Sequence, residues 1–286
     1  MNRPSLMRLP TSVRRARGAF VAVFAAAFVV FSIALVTCGP TGGDPPATGA
    51  AGCGGCVHPP RKATWWYQLQ GRPSPRRARV MDVDGFDTAR GFVSRLHAAR
   101  GYAVCYVDVG TWERWRRDSG RFPQSVLGRG NGWPGERWLD IRQLEVLGPI
   151  MRSRMRMCRA KGFDAVEPDN VDGFANETGF PLSALAQRSY NRWIARTAHR
   201  LGLAVALKND LDQAPSLLPH FDFAIVEQCF EFHECAKARP FVRARKAVFD
   251  VEYELPLSRF CSRARLLDIN ALRARESLSG EAQPCG

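Results

Sequence analysis

The sequence predicts an α/β protein whose main domain is a (β/α)8 TIM barrel. Residues 62–286 contain about eight short apolar runs, and helix-like segments separate several of them. Gly101, Gly162 and Gly202 each follow such a segment and precede an apolar run, as a helix C-terminal cap does. Repeated strand–helix alternation with this number of strands is typical of the barrel, and a doubly wound open sheet is the alternative.

The first 37 residues have the pattern of an export segment. Arg14, Arg15 and Arg17 precede an uncharged run, residues 18–37, that is rich in Ala, Val and Phe. Its length of about 20 residues is also enough to span a bilayer. Residues 35–38 resemble a bacterial lipoprotein box, with Cys38 as the lipidated residue. We therefore expect residues 1–37 to be a signal peptide or a membrane anchor, and the rest of the chain to be exported.

Residues 38–61 are rich in Gly, Pro, Ala and Thr and show no apolar periodicity, which predicts a flexible linker. Cys53 and Cys56 form a CxxC within it, and His58 follows. A zinc site would need a second pair of ligands nearby, and the sequence offers none. A local disulfide or two incidental thiols are therefore expected here in preference to a metal.

The domain from residue 62 to residue 286 carries the predicted strands and helices. The predicted strands are Thr64–Leu69, Arg79–Asp84, Ala103–Val109, Trp138–Ile141, Gly162–Glu167, Ala204–Lys208, Phe223–Glu227 and Ala247–Val251, with Leu266–Ile269 as a possible ninth. The predicted helices are Thr88–Ala99, Leu144–Lys161, Leu182–Leu201 and Arg259–Leu266.

Polar residues recur where these strands end, and in a barrel all those ends meet on one face, where active sites lie. Alone, each could cap a helix or lie in a solvated loop. Together they form a ring of carboxylates with one lysine. The ring comprises Tyr67, Gln68, Asp82, Asp84, Asp87, Asp108, Asp140, Glu167, Asp169, Asp172, Lys208, Asn209, Asp210, Glu227, Gln228 and Glu252.

The stretch GFDAVEPDNVDGF, residues 162–174, is the densest part of this ring. Pro168 lacks an N–H and disfavours helix at Glu167, so the stretch predicts a strand that ends in a loop. Side chains alternate along a strand, which puts Glu167 and Asp169 on one face. Carboxylates are costly to bury unless something neutralises or uses them.

Composition narrows the function classes. Apolar and charged contents of 45% and 24% are those of a globular protein, and the formal net charge is +14. The arginines are dispersed, and no nucleic-acid-binding signature accompanies them, so we expect no specific nucleic-acid partner. No GxGxxG follows a predicted strand and no GxxxxGK[ST] occurs, so neither a dinucleotide site nor an NTP site is indicated and no cofactor is expected.

Seven segments taken together resemble glycoside hydrolase family 114. They are WWYQLQG (65–71), MDVDGFDT (81–88), WPGERWLDIR (133–142), GFDAVEPDNVDGF (162–174), GLAVALKN (202–209), FDFAIVEQCFEFHEC (221–235) and KAVFDVEYE (246–254). The resemblance covers nearly all of residues 62–270 in order. It implies a TIM-barrel fold, endo-α-1,4-polygalactosaminidase activity, and hydrolysis of galactosamine polymers by two carboxylates.

Carried over to this chain, the motif positions are Asp169 in EPDN and Glu227 in VEQC, and neither departs from the family pattern. Glycoside cleavage needs one acid to protonate the departing oxygen and a second carboxylate to attack or stabilise the anomeric carbon. We assign Asp169 as nucleophile, because Asn170 and Lys208 would keep it ionised. We assign Glu227 as general acid/base, because the preceding apolar run would favour its protonated form.

A galactosamine polymer is cationic, so an acidic cleft suits this polysaccharide as the substrate. We expect its sugar rings to contact aromatic faces and its ammonium groups to contact carboxylates. The expected substrate-binding residues are Tyr67, Asp84, Asp172, Lys208, Asn209 and Glu252, with Trp65 beside Tyr67.

Six further cysteines lie in the barrel domain, an even number that predicts disulfides of unassigned connectivity in an exported chain. Cys229, His233 and Cys235 match no standard zinc spacing, so we expect a disulfide from Cys235 to a near neighbour and no metal.

Two other functions compete with hydrolysis. One is an inactive carbohydrate-binding barrel at the cell surface, against which the retention of both Asp169 and Glu227 argues. The other is a surface protein whose basic face holds an anionic polymer or lipid.

Overall fold

A computed structural model describes residues 53–74 and 78–285 of the chain. The predicted export segment, Cys38 and the first part of the predicted linker lie outside these residues. Within the two described ranges, the helices are all too short or too polar to cross a membrane.

Twelve strands are present in the described part of the chain. They are β1 (Trp65–Gln68), β2 (Val80–Asp84), β3 (Tyr102–Asp108), β4 (Thr111–Glu113), β5 (Leu127–Gly130), β6 (Glu136–Leu139), β7 (Ala165–Asp169), β8 (Ala204–Lys208), β9 (Phe223–Glu227), β10 (Val248–Glu252), β11 (Asn270–Ala274) and β12 (Ala282–Pro284). Nine of them form one sheet in the order β1-β2-β3-β7-β8-β9-β10-β11-β12. Neighbouring strands of this sheet are parallel, except for β11 and β12, which are antiparallel. The sheet is a nearly closed barrel, and the predicted fold class is confirmed.

Helices connect the barrel strands and pack on their outer side. They are α1 (Arg90–Ala98), α2 (Leu144–Lys161), α3 (Ala184–Arg200), α4 (Ala214–Leu217), α5 (Arg239–Arg243) and α6 (Leu257–Leu266). The four predicted helices correspond to α1, α2, α3 and α6, whereas the short α4 and α5 were not predicted. Gly162 and Gly202 take the left-handed conformation expected of them, but after α1 it is Arg100, not Gly101, that has positive φ.

The barrel strands are apolar on both faces, because one face fills the barrel and the other meets the helices. Ala165, Ala204 and Phe223 belong to the cluster inside the barrel. Val166 and Val205 belong to the larger cluster between the strands and the helices. Inward and outward positions therefore alternate, and the polar strand ends continue the inward series at the carboxyl end.

Two of the predicted barrel strands do not belong to the barrel. The run Trp138–Ile141 is not a barrel strand: β6 lies in a separate three-stranded antiparallel sheet of order β4-β6-β5, which is inserted between β3 and α2. The run Leu266–Ile269 spans the end of α6 and a turn, and the eighth barrel strand is β11. Both runs have the apolar pattern of a short strand, which does not reveal the sheet to which a strand belongs.

We define the seam of the barrel as the junction between β1 and β11. Residues near the C-terminal end of the described chain form hydrogen bonds across it. The backbone N–H groups of Leu69 and Gln70 both donate to Leu278 O, at 3.0 and 3.1 Å. Asn270 Nδ2 donates to Arg61 O at 2.8 Å, and its Oδ1 accepts from Ala63 N at 2.9 Å. The antiparallel strand β12 covers the free edge of β11.

Residues 53–61, the last part of the predicted linker, pack on the amino-terminal end of the barrel. Tyr102 OH donates to Val57 O at 2.8 Å, and His58 lies 3.6 Å from Asp222. Pro59 is buried. From Cys53 onward the chain is therefore held against the barrel.

All eight cysteines in the described ranges form disulfides, which join Cys53–Cys56, Cys105–Cys158, Cys229–Cys235 and Cys261–Cys285. Of the two alternatives expected for the CxxC, the structure shows the local disulfide, and the short-range disulfide predicted for Cys235 is confirmed. Although Cys229, Cys235 and Asp250 lie close enough to suggest a metal site, the two sulfurs are bonded to each other. The sequence has nine cysteines, and Cys38 is the one that lies outside the described ranges.

Candidate active site

An open cavity of about 310 Å³ lies where the barrel strands end. Its floor consists of inward-facing residues from β1, β3, β7, β8 and β9, and the antiparallel sheet forms one wall. Its lining includes Tyr67, Tyr106, Trp133, Asp169, Asp172, Lys208, Asn209, Glu227, Tyr253 and Glu276.

Lys208, at the end of β8, is the central charge of the cavity floor. Its Nζ lies 2.7 Å from Glu167 Oε1, 3.3 Å from Asp169 Oδ1 and 3.4 Å from Glu227 Oε2. It also donates to Tyr67 OH at 2.9 Å. Burial alone would lower the pKa of Lys208, but Asp169, Glu167 and Glu227 raise it well above its ordinary value. Lys208 is therefore a permanent cation between the two candidate catalytic carboxylates.

Asp169, at the end of β7, is held in its ionised form. Burial by itself raises the pKa of Asp169, but the Lys208 charge, the Tyr106 hydroxyl and the Asn170 N–H together lower it below its ordinary value. Tyr106 OH donates to Asp169 Oδ2 at 2.8 Å. Donors and a cation around a carboxylate stabilise the charged form, and a carboxylate in this state can act as a nucleophile.

Glu227, at the end of β9, has donors on both oxygens and access to the cavity. Asn209 Nδ2 donates to Glu227 Oε2 at 3.1 Å, and Asn209 Oδ1 accepts from the Glu227 N–H at 3.0 Å. Tyr253 OH donates to Glu227 Oε1. The side chain is 28% exposed, against 18% for Asp169. Glu227 is thus the more accessible of the two carboxylates.

Each of these strand ends is followed by a residue with left-handed backbone: Asn170, Asn209 and Gln228, with φ of 59°, 48° and 57°. Asparagine tolerates this region better than most residues, but Gln228 rarely adopts it. Such backbone persists where the surroundings hold it, and it is frequent at functional sites. Gly110 is required beside Asn170, because a Cβ there would lie 1.7 Å from Asn170 O.

The cavity brings together six of the residues predicted for the site: Tyr67, Asp169, Asp172, Lys208, Asn209 and Glu227. The structure places two others elsewhere and gives no support to a sugar contact by either. Asp84 forms an ion pair with Arg116 at 2.6 Å and accepts from Phe86 N. Glu252 is buried and accepts from Phe230 N. Trp65 is also absent from the cavity, since it stacks on Tyr67 inside the barrel.

The cavity residues that were not predicted from the sequence include Tyr106, Trp133, Tyr253 and Glu276. Tyr106 lies on the inward face of β3, two residues before the polar strand end at Asp108, and this spacing was a usable signal. Trp133 and Glu276 come from loops, and nothing in their local sequence indicates that the loops fold over the barrel.

Asp172 lies in the loop after β7 and faces the same cavity. Burial, and then the charge of Asp169, raise the pKa of Asp172 from 3.8 to about 6. Near neutral pH the charged form of Asp172 is therefore costly. A nearby cation would stabilise it, because the cation would offset the cost of burial and the repulsion from Asp169.

Asp169 and Glu227 end the two strands that flank β8, with the Lys208 cation between them. Two carboxyl groups facing one cavity are what hydrolysis of a glycosidic bond needs. The protein is a glycosidase with a barrel fold. The model of glycoside-hydrolase family GH114 matches residues 46–286, and the chain belongs to that family.

Solved structures agree with this assignment. The crystal structure of Ega3 from Aspergillus fumigatus, in complex with galactosamine, is 29% identical with a TM-score of 0.76, and covers 80% of this chain and 97% of that one. The glycoside hydrolase domain of PelA from Pseudomonas aeruginosa is 13% identical with a TM-score of 0.59, and covers 77% and 96%. At that identity PelA supports the fold alone. A search of the curated proteins found no match.

Proposed function

We propose that this protein hydrolyses α-1,4-linked galactosamine-containing polysaccharide by a retaining mechanism with two carboxylates. The family membership supports the reaction class, and the similarity to a protein crystallised with galactosamine supports the sugar. The acidic cavity supports a cationic substrate, since Asp172 and Glu276 line its mouth along with the carboxylates of the floor.

The proposal divides the work between Asp169 and Glu227. Asp169, ionised through Lys208 and Tyr106, attacks the anomeric carbon and forms a glycosyl-enzyme. Glu227 donates a proton to the departing oxygen and then takes one from the attacking water. The greater exposure of Glu227 suits a group that must reach both the leaving group and solvent.

The single observation that carries the retaining mechanism is the position of Lys208. Since Nζ lies 3.3 Å from Asp169 Oδ1 and 3.4 Å from Glu227 Oε2, those oxygens can be no farther apart than the two distances laid end to end. That limit is compatible with the separation of about 5–5.5 Å in retaining enzymes. The range of roughly 6.5–9.5 Å in inverting ones fits this limit less well, so the position of Lys208 supports the retaining mechanism.

Azide rescue tests the two roles. Glu227→Gln removes the proton donor but leaves Asp169 able to attack, so an activated aryl α-glycoside should form the glycosyl-enzyme and stall. Azide needs no general base, so it should restore turnover and give the α-glycosyl azide. Asp169→Asn should lose activity on good and poor leaving groups alike, and azide should then give the β product. Reversed anomers would exchange the roles.

Reducing-end release from purified α-1,4-galactosaminogalactan tests the substrate. Wild-type protein should release reducing ends, and the double variant Asp169→Asn, Glu227→Gln should not. If wild-type protein binds the polymer but releases nothing, the protein is the inactive carbohydrate-binding barrel instead. Turnover like that of the wild type in either single variant would remove that residue from the mechanism.

We also propose that the enzyme acts outside the cytoplasm, with residues 1–37 directing export and Cys38 carrying a lipid. The disulfides of the described domain suit an oxidising compartment, and they leave Cys38 as the remaining cysteine. Cys38→Ser should release the barrel from the membrane fraction into the medium. Intact precursor found soluble in the cytoplasm would contradict the export signal.

A further inference from the structure

Beneath Lys208, two carboxyl groups face each other inside the barrel. They belong to Asp82 on β2 and Glu167 on β7, and neither residue has any exposed surface. Glu167 Oε1 accepts from Lys208 Nζ at 2.7 Å and from Tyr67 OH at 3.0 Å. Among the described residues, Glu167 Oε2 and both oxygens of Asp82 have no donor. Strand β3 lies between β2 and β7: Asp82 pairs with Val104 and Glu167 with Tyr106, two residues along the same inward face, so the two carboxyl groups are near neighbours.

Three buried oxygens without a donor cannot belong to two ionised groups, because an ionised carboxylate only accepts hydrogen bonds. A single proton removes most of the conflict, since it converts one carboxyl group into a donor for the other and leaves the third oxygen as the carbonyl of a neutral acid. Lys208 and Tyr67 favour the charge on Glu167, so the proton belongs on Asp82 and is donated to Glu167 Oε2. Burial, and then the charge and hydrogen bond of Glu167, also raise the pKa of Asp82 well above its ordinary value.

We propose that Asp82 and Glu167 share one proton, and that Asp82 is a positioning residue that acts through Glu167 and Lys208 on the catalytic pair. This inference rests on the proposed function of Asp169 and Glu227. With the proton in place, Lys208 lies between the ionised Glu167 and Asp169, and Glu227 keeps the proton that it donates in the proposed reaction. Without it, the added charge of Asp82 would draw the Lys208 ammonium toward Asp82 and Glu167, away from Asp169 and Glu227.

The charged and titratable groups that face the pair come from four other positions around the barrel. They are Lys208 on β8, Asp169 on β7, Tyr67 on β1 and Glu227 on β9, with Tyr253 after β10 in contact with Glu227. Lys208 is the cation of this set, and each loss of a proton adds negative charge around it. Raising the pH past the titration of the shared proton should therefore lower kcat and leave KM little changed.

Asp82→Asn is the decisive variant. The amide can donate to Glu167 Oε2 as the carboxylic acid does, but it has no proton to lose. We expect kcat within about threefold of wild type at neutral pH and an alkaline limb that is lost or moved upward. Asp82→Ala provides no donor, and its kcat should fall at least tenfold at neutral pH. Asp164→Asn makes the same change at the amino-terminal end of the barrel, away from the cavity, and should keep the wild-type profile.

An infrared difference spectrum provides a readout that does not depend on catalysis. At neutral pH, wild type minus Asp82→Asn should contain the C=O band of a protonated carboxyl group. If Asp82→Asn does not fold, Glu167→Gln tests the same pair, because its amide donates to Asp82 and removes the need for the proton. A difference spectrum with carboxylate bands only would overturn the shared proton. So would an unchanged alkaline limb in Asp82→Asn, or full activity in Asp82→Ala.

The two proposals can fail separately. If the wild type releases no reducing ends from the polymer, the proposed function fails, whereas the infrared band still decides whether the proton is shared. If the wild type is active but the band is missing, the catalytic assignment stands and the role of Asp82 is lost.

Discussion

The side chain of Asp169 is positioned by the next residue, Asn170, whose backbone has a conformation that few residues adopt. Asn170 is left-handed, and its Nδ2 donates to Asp108 Oδ2 at 2.7 Å, so the loop after β7 is tied to the end of β3. Gly110 allows this close approach because it has no Cβ. The position of the candidate nucleophile thus depends on residues that have no chemical role.

Asp172 should lower the stability of the folded protein at neutral pH. Its pKa is about 6 when folded and near 3.8 ordinarily, so the folded state binds the proton more tightly. The stability that this proton provides is present below about pH 4 and is lost as the pH rises through 6. Asp172→Asn should therefore raise the free energy of unfolding by about 1–3 kcal/mol at pH 7.5, in urea titrations, with no gain at pH 4.

Asp87→Asn, at an exposed aspartate on the loop after β2, is the matched control and should leave stability unchanged at both pH values. A gain at pH 4 equal to the gain at pH 7.5 would show that the effect of Asp172→Asn is not electrostatic.

The sequence located Asp169, Lys208 and Glu227 because each is a polar residue that ends an apolar run. It could not locate Tyr253 in preference to Glu252, since that choice depends on which positions of β10 point inward. Phe249 and Val251 point inward, so Tyr253 does too, whereas Glu252 lies on the face toward the helices. Both faces of a buried parallel strand are apolar, and composition therefore does not reveal the inward one.

At the scale of elements, the antiparallel sheet of β4, β5 and β6 shapes the cavity. It provides part of the wall, with Trp133 in the loop between β5 and β6. The sequence predicted the β6 run but placed it in the barrel, because strand periodicity is the same in both sheets. The pairing of β6 with β4 and β5 determines the sheet to which it belongs, and the local sequence pattern does not encode this pairing.

The Cys229–Cys235 disulfide should matter for activity because it closes the loop that follows Glu227. Phe230 N in that loop donates to Glu252 Oε1 at 2.8 Å, so the loop is anchored on β10. Replacing both cysteines by serine should lower the free energy of unfolding by about 2 kcal/mol. Because the loop then moves more freely, kcat should fall severalfold.

Replacing Cys53 and Cys56 by serine is the matched control, since that disulfide also closes a short loop but lies at the other end of the barrel. Its kcat should equal that of the wild type. Equal kcat values in the two double variants would show that the loop after β9 does not position Glu227.

At the scale of the whole molecule, charge is separated between the inside and the outside. The acids of the site line the cavity, whereas α3 contains no acidic residue and carries Arg188, Arg192, Arg196 and Arg200. The arginines of α3 thus add positive charge outside the cavity, where the sequence alone could not place it. The net charge gave no indication of the field at the cavity, which depends on which side chains the fold turns inward.

The folded domain should extend to Cys53, not only to the predicted boundary at residue 62. Protein 53–286 should be more stable than protein 62–286 by about 2–3 kcal/mol, because the shorter form loses the Tyr102–Val57 and Asn270–Arg61 hydrogen bonds and uncovers buried surface. Urea midpoints of the two proteins measure the difference. Equal midpoints would mean that residues 53–61 only rest on the barrel.

The seam has a consequence for the order in which the protein can be made. The β1 backbone reaches its partner at Leu278 only after synthesis has passed that residue, and β12 with the Cys261–Cys285 disulfide comes later still. We therefore expect a growing chain that already contains Asp169 and Glu227 to remain an open, protease-sensitive sheet. Under the proposed export, this delay would keep the chain unfolded until translocation has begun. Ribosome-bound chains stalled at residue 260 should be cleaved rapidly by protease, and resistance equal to that of the full chain would show that the barrel closes without its seam.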